Sequence, residues 1–454
     1  MQATTPQSGP GVTAAVNLRR FYETQPYQCS GTELACLIEG RQAVVGDPER
    51  WFHLYFPDQP YREGLQALVV GCPNSEAARL AAGAAHTHFL AIDQADTALD
   101  QLDRLKQHYR LDNLELMWLG ADQIPVIDRR FDLVFCADGP PPPLPAGEFL
   151  RLVRSRLTES GSLVLTVGGR HGRLGVMLFR RFLEAAGLDL DTADATEIRG
   201  WAAALPESHP FRAAVADLPE LNSDSGLLDA LRSGEPAFSV PELQALLEQS
   251  GLRLQRFLCQ AAYMPECGGL APVADLVFGT DAMGGDVGNA MGGDLGSSGG
   301  DGRGVGDEHR WSALAELFRG NLRTHIAVAC RDDRPASSYA VSFRGRDWLE
   351  YKPVRNPGLE IEAGHFPADG VARLSWAAHE DSAISLVVSE QQARLFDLID
   401  GSRSIAAIVE AADLRGVDTE ELARGFFQAL WRRDYAWFQI PASSGGYFPL
   451  ENPL

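Results

Sequence analysis

The sequence has few cysteines, and their arrangement suggests neither a disulfide framework nor a zinc site. The seven cysteines are an odd number, lie scattered along 454 residues and include no Cys-x-x-Cys pair. Disulfide scaffolds and structural zinc sites both need closely spaced cysteines, so neither class fits the pattern. We expect reduced, mostly buried thiols, a cytoplasmic protein and no metal centre.

Long hydrophobic runs are also missing. No stretch of roughly 18 apolar residues occurs, although a transmembrane helix needs about 20. The first ten residues, Met-Gln-Ala-Thr-Thr-Pro-Gln-Ser-Gly-Pro, contain neither the basic nor the apolar segment of a signal peptide. We therefore expect neither membrane insertion nor secretion.

Positive charge is scarce, because 40 Lys and Arg residues stand against 61 Asp and Glu residues and leave a net charge of −21. Proteins that bind nucleic acid in general need clustered Lys and Arg to displace counterions, so we expect no nucleic-acid partner. The P-loop and the His-Glu-x-x-His zinc motif are absent as well. Hydrolysis by either of those chemistries is therefore not predicted.

The chain is long enough for two or three domains rather than one core. Composition shifts and turn signals divide it into five parts, which are a tail with an aromatic-rich prelude (1–64), a nucleotide-binding domain (65–280), a Gly-rich linker (281–307), a C-terminal α+β domain (308–440) and a tail (441–454). The density of aromatic residues between positions 21 and 61 predicts that the prelude packs on the next domain.

Strand and helix patterns alternate through the second part. Apolar runs at 67–70, 89–92, 114–118, 131–136 and 162–167 predict buried parallel strands, with helices at 76–85, 97–109, 148–157 and 173–186 between them. A helix at 240–251 and a strand at 253–258 follow. This alternation predicts an α/β fold with a doubly wound parallel sheet.

The segment 281–307 is of low complexity, since eleven of its 27 residues are glycine. The near-repeat of Ala-Met-Gly-Gly-Asp at 282–286 and 290–294 suggests a calcium-binding β-roll, but that repeat has a nine-residue period and a different position for its Asp. A flexible linker is the favoured interpretation.

The sequence pattern after the linker predicts a helix and a strand over 310–330, followed by a small α+β domain. Short alternating runs at 339–343, 348–351 and 383–387 predict an antiparallel sheet. Helical patterns at 389–399, 404–413 and 418–432 precede a possible closing strand at 435–440.

The first strand–turn–helix unit carries the main functional signal. The run 67–70 ends in Gly71 and turns through small or polar residues into a helical pattern, while the run 89–92 ends in Asp93. In a parallel sheet such a turn brings backbone N–H groups to a nucleoside, and such an acid accepts hydrogen bonds from ribose hydroxyls. An NAD-dependent oxidoreductase is the weaker alternative, because it needs Gly-x-Gly-x-x-Gly and the turn supplies only Gly71.

Over residues 18–330 the chain resembles class I S-adenosylmethionine-dependent methyltransferases, most closely a bacterial, notably cyanobacterial, group. The family's Tyr-Glu-x-x-Pro-Tyr-Pro, Ala-Gly-Cys-Gly-Thr-Gly, Gly-Ile-Asp and Phe-Asp-x-Ile elements match 22–28, 70–75, 91–93 and 131–134, and its Leu-x-Pro-Gly-Gly-x-Leu and Val-Pro-Glu-Leu elements match 157–163 and 240–243. The resemblance implies a Rossmann-like fold, S-adenosyl-L-methionine as cofactor, and cofactor-binding residues Gly71, Cys72, Asn74, Ser75, Asp93, Gln94, Asp122 and Asp138.

Some positions depart from the family pattern. Pro73 and Ser75 replace glycines of the turn, and Gly120 stands where the third strand usually carries an adenine-contacting acid, for which Asp122 can substitute. The resemblance predicts a methyltransferase acting on a small molecule or a peptide. The departures keep open a degenerate, inactive fold that serves as a binding or scaffold module.

No catalytic base is identified from the sequence. His171 follows the fifth strand in a Gly-rich loop and could act as a base, although an isolated histidine there is more often solvated. Tyr22 and Tyr27 could close over the cofactor or the substrate, or simply pack with the prelude.

The C-terminal helices, with the phrase Asp-Gly at 400–401 before Ile-Ala-Ala-Ile-Val at 405–409, resemble winged-helix modules. They are similar to the small peptide-chaperone domain of pyrroloquinoline quinone biosynthesis, which binds a leader peptide by edge-strand addition. We predict a recognition or partner-docking module rather than a second catalytic domain. A fixed stability domain is the alternative.

Overall fold

The computed structural model describes residues 46–71, 76–137, 139–141, 144–190, 192–217, 221, 223–232, 237–264, 267, 305–367, 369–379, 384–414 and 418–441. The predicted linker as far as residue 304 lies outside these ranges, and so does the prelude before residue 46 with Tyr22 and Tyr27. The division into five parts remains a prediction.

The strands of the described ranges are β1 (Gln66–Val70), β2 (His88–Asp93), β3 (Leu114–Trp118), β4 (Phe131–Cys136), β5 (Leu157–Gly169), β6 (Ala237–Phe238), β7 (Leu252–Phe257), β8 (Thr324–Arg331), β9 (Lys352–Arg355), β10 (Leu359–Phe366), β11 (Gly370–Trp376), β12 (Leu386–Ser389) and β13 (Ala436–Gln439). The α-helices are α1 (Phe52–Tyr55), α2 (Glu76–Gly83), α3 (Asp96–Tyr109), α4 (Ala146–Arg156), α5 (Leu174–Ala185), α6 (Ala195–Ala204), α7 (Pro210–Asp217), α8 (Asp224–Arg232), α9 (Val240–Gln249), α10 (Val305–Arg319), α11 (Glu390–Asp397), α12 (Ile405–Ala412) and α13 (Thr419–Arg432).

The main sheet has eight strands in the order β3-β2-β1-β4-β5-β8-β7, and β6 pairs with the end of β5. The five strands predicted from apolar runs are all present and pair in parallel, which confirms the doubly wound α/β core. Strand β4 is buried along its whole length because helices cover both faces of the sheet. In β1, Val69 points to one hydrophobic core and Leu68 to the other.

One strand of this sheet runs against the rest. Strand β8 lies between β5 and β7 and is antiparallel to both, so the sheet is mixed rather than wholly parallel. The sequence-based division assigns this segment to the C-terminal part, yet its backbone completes the main sheet. Apolar periodicity reports burial but says nothing about which distant strand will be the neighbour.

Helices α5 to α8 form an insertion between β5 and β6 with its own hydrophobic core. Phe179 of α5 stacks on Phe211 of α7 with ring centroids 3.7 Å apart, and Phe211 is fully buried. Within the described ranges, no helix combines the length and the apolar character needed to cross a membrane.

After β8, residues 334–441 form what we call the C-terminal unit. It contains the antiparallel sheet β10-β11-β12, the pair β9-β13 and helices α11 to α13. The three helices and the closing strand agree with the predictions, but the strands predicted at 339–343 and 348–351 are wrong. The second forms a 3₁₀ turn, Asp347–Glu350, in which Trp348 is buried and donates its indole N–H to Gly345 O.

The amino-terminal segment, residues 46–63, lies between the main sheet and the C-terminal unit. Trp51 packs against Trp376 and Trp437, with ring centroids 5.5 and 4.9 Å away. On the other side, Gln255 of β7 donates hydrogen bonds to the carbonyl oxygens of residues 54 and 55. Trp51, Phe52, Tyr55 and Phe56 are buried here, whereas Tyr61 is 48% exposed, and the segment joins the C-terminal unit to the sheet.

Candidate functional site at the carboxyl ends of the parallel strands

Gly71 and Asp93 lie at neighbouring strand ends. Val70 pairs with Ile92 in the register of β1 and β2, and the N–H of Gly71 donates to Ile92 O over 3.0 Å. Gly71 has a φ of 72°, a left-handed conformation that glycine adopts without strain. The turn therefore begins beside the acid, about one strand spacing of 4.8 Å away.

The Asp93 carboxylate has a fixed orientation. Its Oδ1 accepts a hydrogen bond from the backbone N–H of Ala95 over 2.8 Å, just before helix α3 begins. The side chain is half-buried at the end of β2. A carboxylate held in this way suits recognition of hydroxyl groups at the sheet edge.

Trp118 also belongs to this edge, although it was not predicted. It ends β3 opposite Asp93, and its indole N–H donates to Gln94 O over 3.0 Å. The side chain is 53% exposed, unusually open for a tryptophan whose position is fixed by a hydrogen bond. It offers an aromatic face to a planar ligand. The sequence contained one signal that could have identified Trp118, namely an aromatic residue at the end of the third predicted strand.

Gln94 and Asp122 approach each other across Gly120. A Cβ atom built on Gly120 would collide with the Gln94 amide and with the Asp122 carboxylate. Asp122 lies in the 3₁₀ helix Ala121–Val126. The N–H of Gly120, just before this helix, donates a hydrogen bond to Gln123 Oε1 over 3.1 Å. The position that carries an acid in the resembling family is thus filled here by its neighbours' side chains.

The loop after β4 is only partly described. The Cys136 thiol donates to Gly139 O over 2.7 Å, and Gly139 has a φ of 74°. Asp138 lies outside the described residues, as do Cys72, Asn74 and Ser75 in the first turn. Of the eight predicted cofactor-binding residues, the structure brings together Gly71, Asp93, Gln94 and Asp122.

The end of β5 carries a second group of polar residues. Arg170 forms an ion pair with Glu242, whose Oε2 also accepts hydrogen bonds from the Ser239 N–H and hydroxyl, each 2.8 Å long. Burial acts to raise the pKa of Glu242, but these hydrogen bonds and Arg170 outweigh it and hold the pKa below its ordinary value. His171 is partly exposed and has Nε2 3.9 Å from Glu316 Oε1.

Among the described residues, no group of three or more His, Cys, Asp and Glu side chains is arranged to hold a metal ion. The groups at the strand ends have the chemistry to bind an organic ligand. Gly71 supplies a tight backbone turn, Asp93 a carboxylate and Trp118 an aromatic surface.

No protein-family model matches the chain. Among solved structures, it is similar to PKMT2 from Rickettsia typhi in complex with AdoHcy, with a TM-score of 0.56 and 11% sequence identity over 87% of this chain and 76% of that chain. A second structure of PKMT2 from Rickettsia typhi gives a TM-score of 0.54 at 12% identity, over 86% and 75% of the two chains. At such identities the likeness shows the fold alone. The chain therefore has a Rossmann-like methyltransferase fold, with further small sheets and helices in its C-terminal part.

Proposed function

We propose that the protein is an S-adenosylmethionine-dependent methyltransferase that acts on a small molecule or a peptide. The observation that carries the proposal is the placement of Gly71, with its positive φ, beside Asp93 at the carboxyl ends of neighbouring parallel strands. Ligands of doubly wound sheets bind at this edge. The fold shared with PKMT2, whose complex contains AdoHcy, agrees with this choice of cofactor.

The residues of the edge suit the parts of that cofactor. Asp93 would accept hydrogen bonds from the ribose hydroxyls, and the Gly71 turn, continued by Cys72, Asn74 and Ser75, would face the amino-acid end. The remaining groups, Gln94, Trp118, Asp122 and Asp138, would surround the adenine and the methyl-transfer position.

S-adenosylmethionine supplies an already activated methyl group, so the chain's own task is to bind and orient. Holding the acceptor in line with the methyl group accounts for most of the acceleration in such a reaction. Gly71, Asp93 and Trp118 are each held at the strand ends by a hydrogen bond, so their positions would be fixed before the cofactor binds.

Calorimetric titration with S-adenosylhomocysteine tests the proposal. We expect measurable binding by the full chain, and Asp93→Ala should weaken it by about 1–3 kcal/mol through the lost ribose hydrogen bonds. Asp112→Ala is the matched control, because Asp112 is exposed before β3 at the opposite edge of the sheet. Absence of binding at millimolar ligand would reject the enzyme and favour the degenerate scaffold.

We further propose that the C-terminal unit is a winged-helix-like recognition or partner-docking module. Its three helices and antiparallel sheet support this, and so do the acidic residues of its helices, which disfavour nucleic acid as the partner. Deleting residues 308–454 would remove β8 from the main sheet, so point substitutions in the C-terminal unit are the better test. Variants there should keep S-adenosylhomocysteine binding and lose use of the acceptor.

A cytoplasmic, bacterial type of enzyme is part of the same proposal. The described cysteines 136, 259, 267 and 330 are thiols, as expected in a reducing compartment. Fractionation of the native host with antibody to the protein would test the location.

A further inference from the structure

A buried carboxylate lies behind the loop that follows β5. Glu316 of helix α10 is only 1% exposed. Its Oε2 accepts the backbone N–H of Val240, the first residue of helix α9, over 2.7 Å. This N–H is one of the donors at the start of the helix that have no partner within the helix, and the Glu316 carboxylate satisfies it.

The other oxygen of this carboxylate, Oε1, has no hydrogen-bond donor among the described residues. His325 Nε2 is 3.3 Å from it, but the same nitrogen is 3.1 Å from Phe238 O. The remaining nitrogen of His325, Nδ1, is 2.7 Å from the Tyr263 hydroxyl. Because Nε2 carries at most one hydrogen and Phe238 O is the nearer acceptor, Glu316 Oε1 is left without a donor.

A buried, unsatisfied carboxylate oxygen is costly, so a donor is expected near it. The imidazole ring of His171 also lies near this oxygen, with Nε2 3.9 Å from Glu316 Oε1. This distance is that of an ion pair rather than a hydrogen bond, and such contacts often shorten when a ligand binds. The His171 side chain is 33% exposed, so part of its ring is open to solvent at the loop.

The loop that carries His171 is held in place at both ends. Gly169 N–H donates to Arg323 O over 2.7 Å, Arg170 N–H to Phe238 O over 3.0 Å, and Arg173 N–H to Gly169 O over 3.1 Å. Strand β5 also continues four residues past Leu165, the partner of the last residue of β4. The loop therefore overhangs the carboxyl edge, and β5 is only two strand spacings, roughly 10 Å, from β1.

We propose that His171 is the base that takes the proton of the methyl acceptor and that Glu316 is the positioning residue that holds its ring. This inference rests on the proposed methyltransferase function. The acceptor is a nucleophile that carries a proton, such as an amine or a hydroxyl. Its lone pair forms the bond to the methyl carbon while the carbon–sulfur bond breaks and leaves its electron pair on sulfur. The proton of the acceptor moves to Nδ1 of His171.

The charged neighbours of this pair lie on several elements. Arg170 and Arg173 share the loop with His171, Glu242 lies on α9, and Arg323 precedes β8. Arg170 is paired with Glu242, and Arg173 Nε donates to Arg323 O over 3.1 Å. These contacts engage both loop arginines, so Glu316 is the carboxylate that faces the His171 ring.

The test uses the full-length chain and the variants His171→Ala, Glu316→Gln and His86→Gln. Glutamine at position 316 can still accept the Val240 N–H, which protects the fold. His86 is the matched control, because it forms another His–Glu pair, with Glu49 3.3 Å away, before β2 at the opposite edge of the sheet. S-adenosylhomocysteine titration of all four proteins separates this inference from the proposed function, since the cofactor should bind equally to each.

The first readout is a spectroscopic one that needs no acceptor. In the saturated S-adenosylhomocysteine complex, we expect a downfield imidazole N–H proton resonance, from Nε2 of His171 donating to Glu316. It should be present in the wild type and in His86→Gln, and lost in His171→Ala and in Glu316→Gln. An identical spectrum in all four proteins would overturn the pairing.

The second readout is transfer of labelled methyl groups from S-adenosylmethionine to a pool of short peptides that carry lysine, serine, threonine and tyrosine. We expect kcat to fall about 100-fold or more in His171→Ala, with KM nearly unchanged and partial rescue by added imidazole. Glu316→Gln should lose about tenfold, without rescue. Full activity of His171→Ala would overturn the inference, and so would a wild-type chain that binds S-adenosylhomocysteine but labels no peptide.

Discussion

Removal of the Asp434 carboxylate should loosen the attachment of the C-terminal unit to the main sheet. Asp434 is buried and forms an ion pair with Arg256 of β7, whose side chain is only 8% exposed. The other oxygen of Asp434 accepts the Gln260 N–H over 2.5 Å. Asp434→Ala would leave a buried guanidinium without its carboxylate and a buried N–H without its acceptor.

Removing one partner of a buried ion pair costs about 3–5 kcal/mol, so we expect the free energy of unfolding to fall by this amount in Asp434→Ala. Urea denaturation followed by tryptophan fluorescence measures it, because Trp51, Trp376 and Trp437 lie together at this junction. Glu420→Ala is the control. Its ion pair with Arg346 is exposed on both sides, so its loss should cost less than about 1 kcal/mol.

Two results would refute this reasoning. One is an Asp434→Ala chain whose unfolding free energy changes no more than that of Glu420→Ala. The other is a double substitution with Arg256→Met that is no more stable than Asp434→Ala, because removing the unpaired cation should recover part of the loss.

Two further predictions concern local features. Backbone N–H groups of residues 402 and 403 and the Ser402 hydroxyl lower the pKa of Asp400 to about 2 from 3.8, so its stabilising effect should be complete above pH 3.8 and disappear as the pH falls through 2. NMR titration of the unchanged chain should find this pKa for Asp400, and Ser402→Ala should have a higher one. A pKa near 3.8 in the unchanged chain would show that these hydrogen bonds to Asp400 do not form in solution. Phe211→Ala should lower the free energy of unfolding by about 3–5 kcal/mol, because it removes the ring that stacks on Phe179. Phe182 lies in the same insertion but is 61% exposed, so Phe182→Ala should lower it by less than about 0.5 kcal/mol. Equal losses of unfolding free energy would show that the insertion is not packed around Phe211.

The C-terminal unit is more firmly attached than a module at the end of a flexible linker would need to be. The aromatic contacts of Trp51 and the buried pair of Arg256 with Asp434 connect it to the rest of the chain. If the unit recognises the acceptor, as we propose, it does so from a packed position, and substitutions at this junction should alter acceptor use together with stability.

The sequence alone determined the parallel strands and the two residues, Gly71 and Asp93, that end the first two of them at the candidate site. Gly71 and Asp93 could be identified because each follows an apolar run directly, and a strand end is a local property. The same reasoning failed at 348–351. Alternating apolar residues indicate that side chains are buried there, but whether the backbone is a strand or a turn depends on the partner that covers it, and Trp348 is buried in a 3₁₀ turn.

Tertiary structure decided the rest, because the remaining features join residues far apart in the chain. The antiparallel position of β8 between β5 and β7 depends on pairing with strands from another part of the sequence. Trp118 lies at the candidate site because it ends β3 opposite Asp93 and donates a hydrogen bond to Gln94 O. His171 looked like a solvated loop histidine until folding brought the buried Glu316 carboxylate behind its ring. Local pattern fixes which residues are buried and where strands end, whereas long-range packing selects the neighbours that give those residues their chemistry.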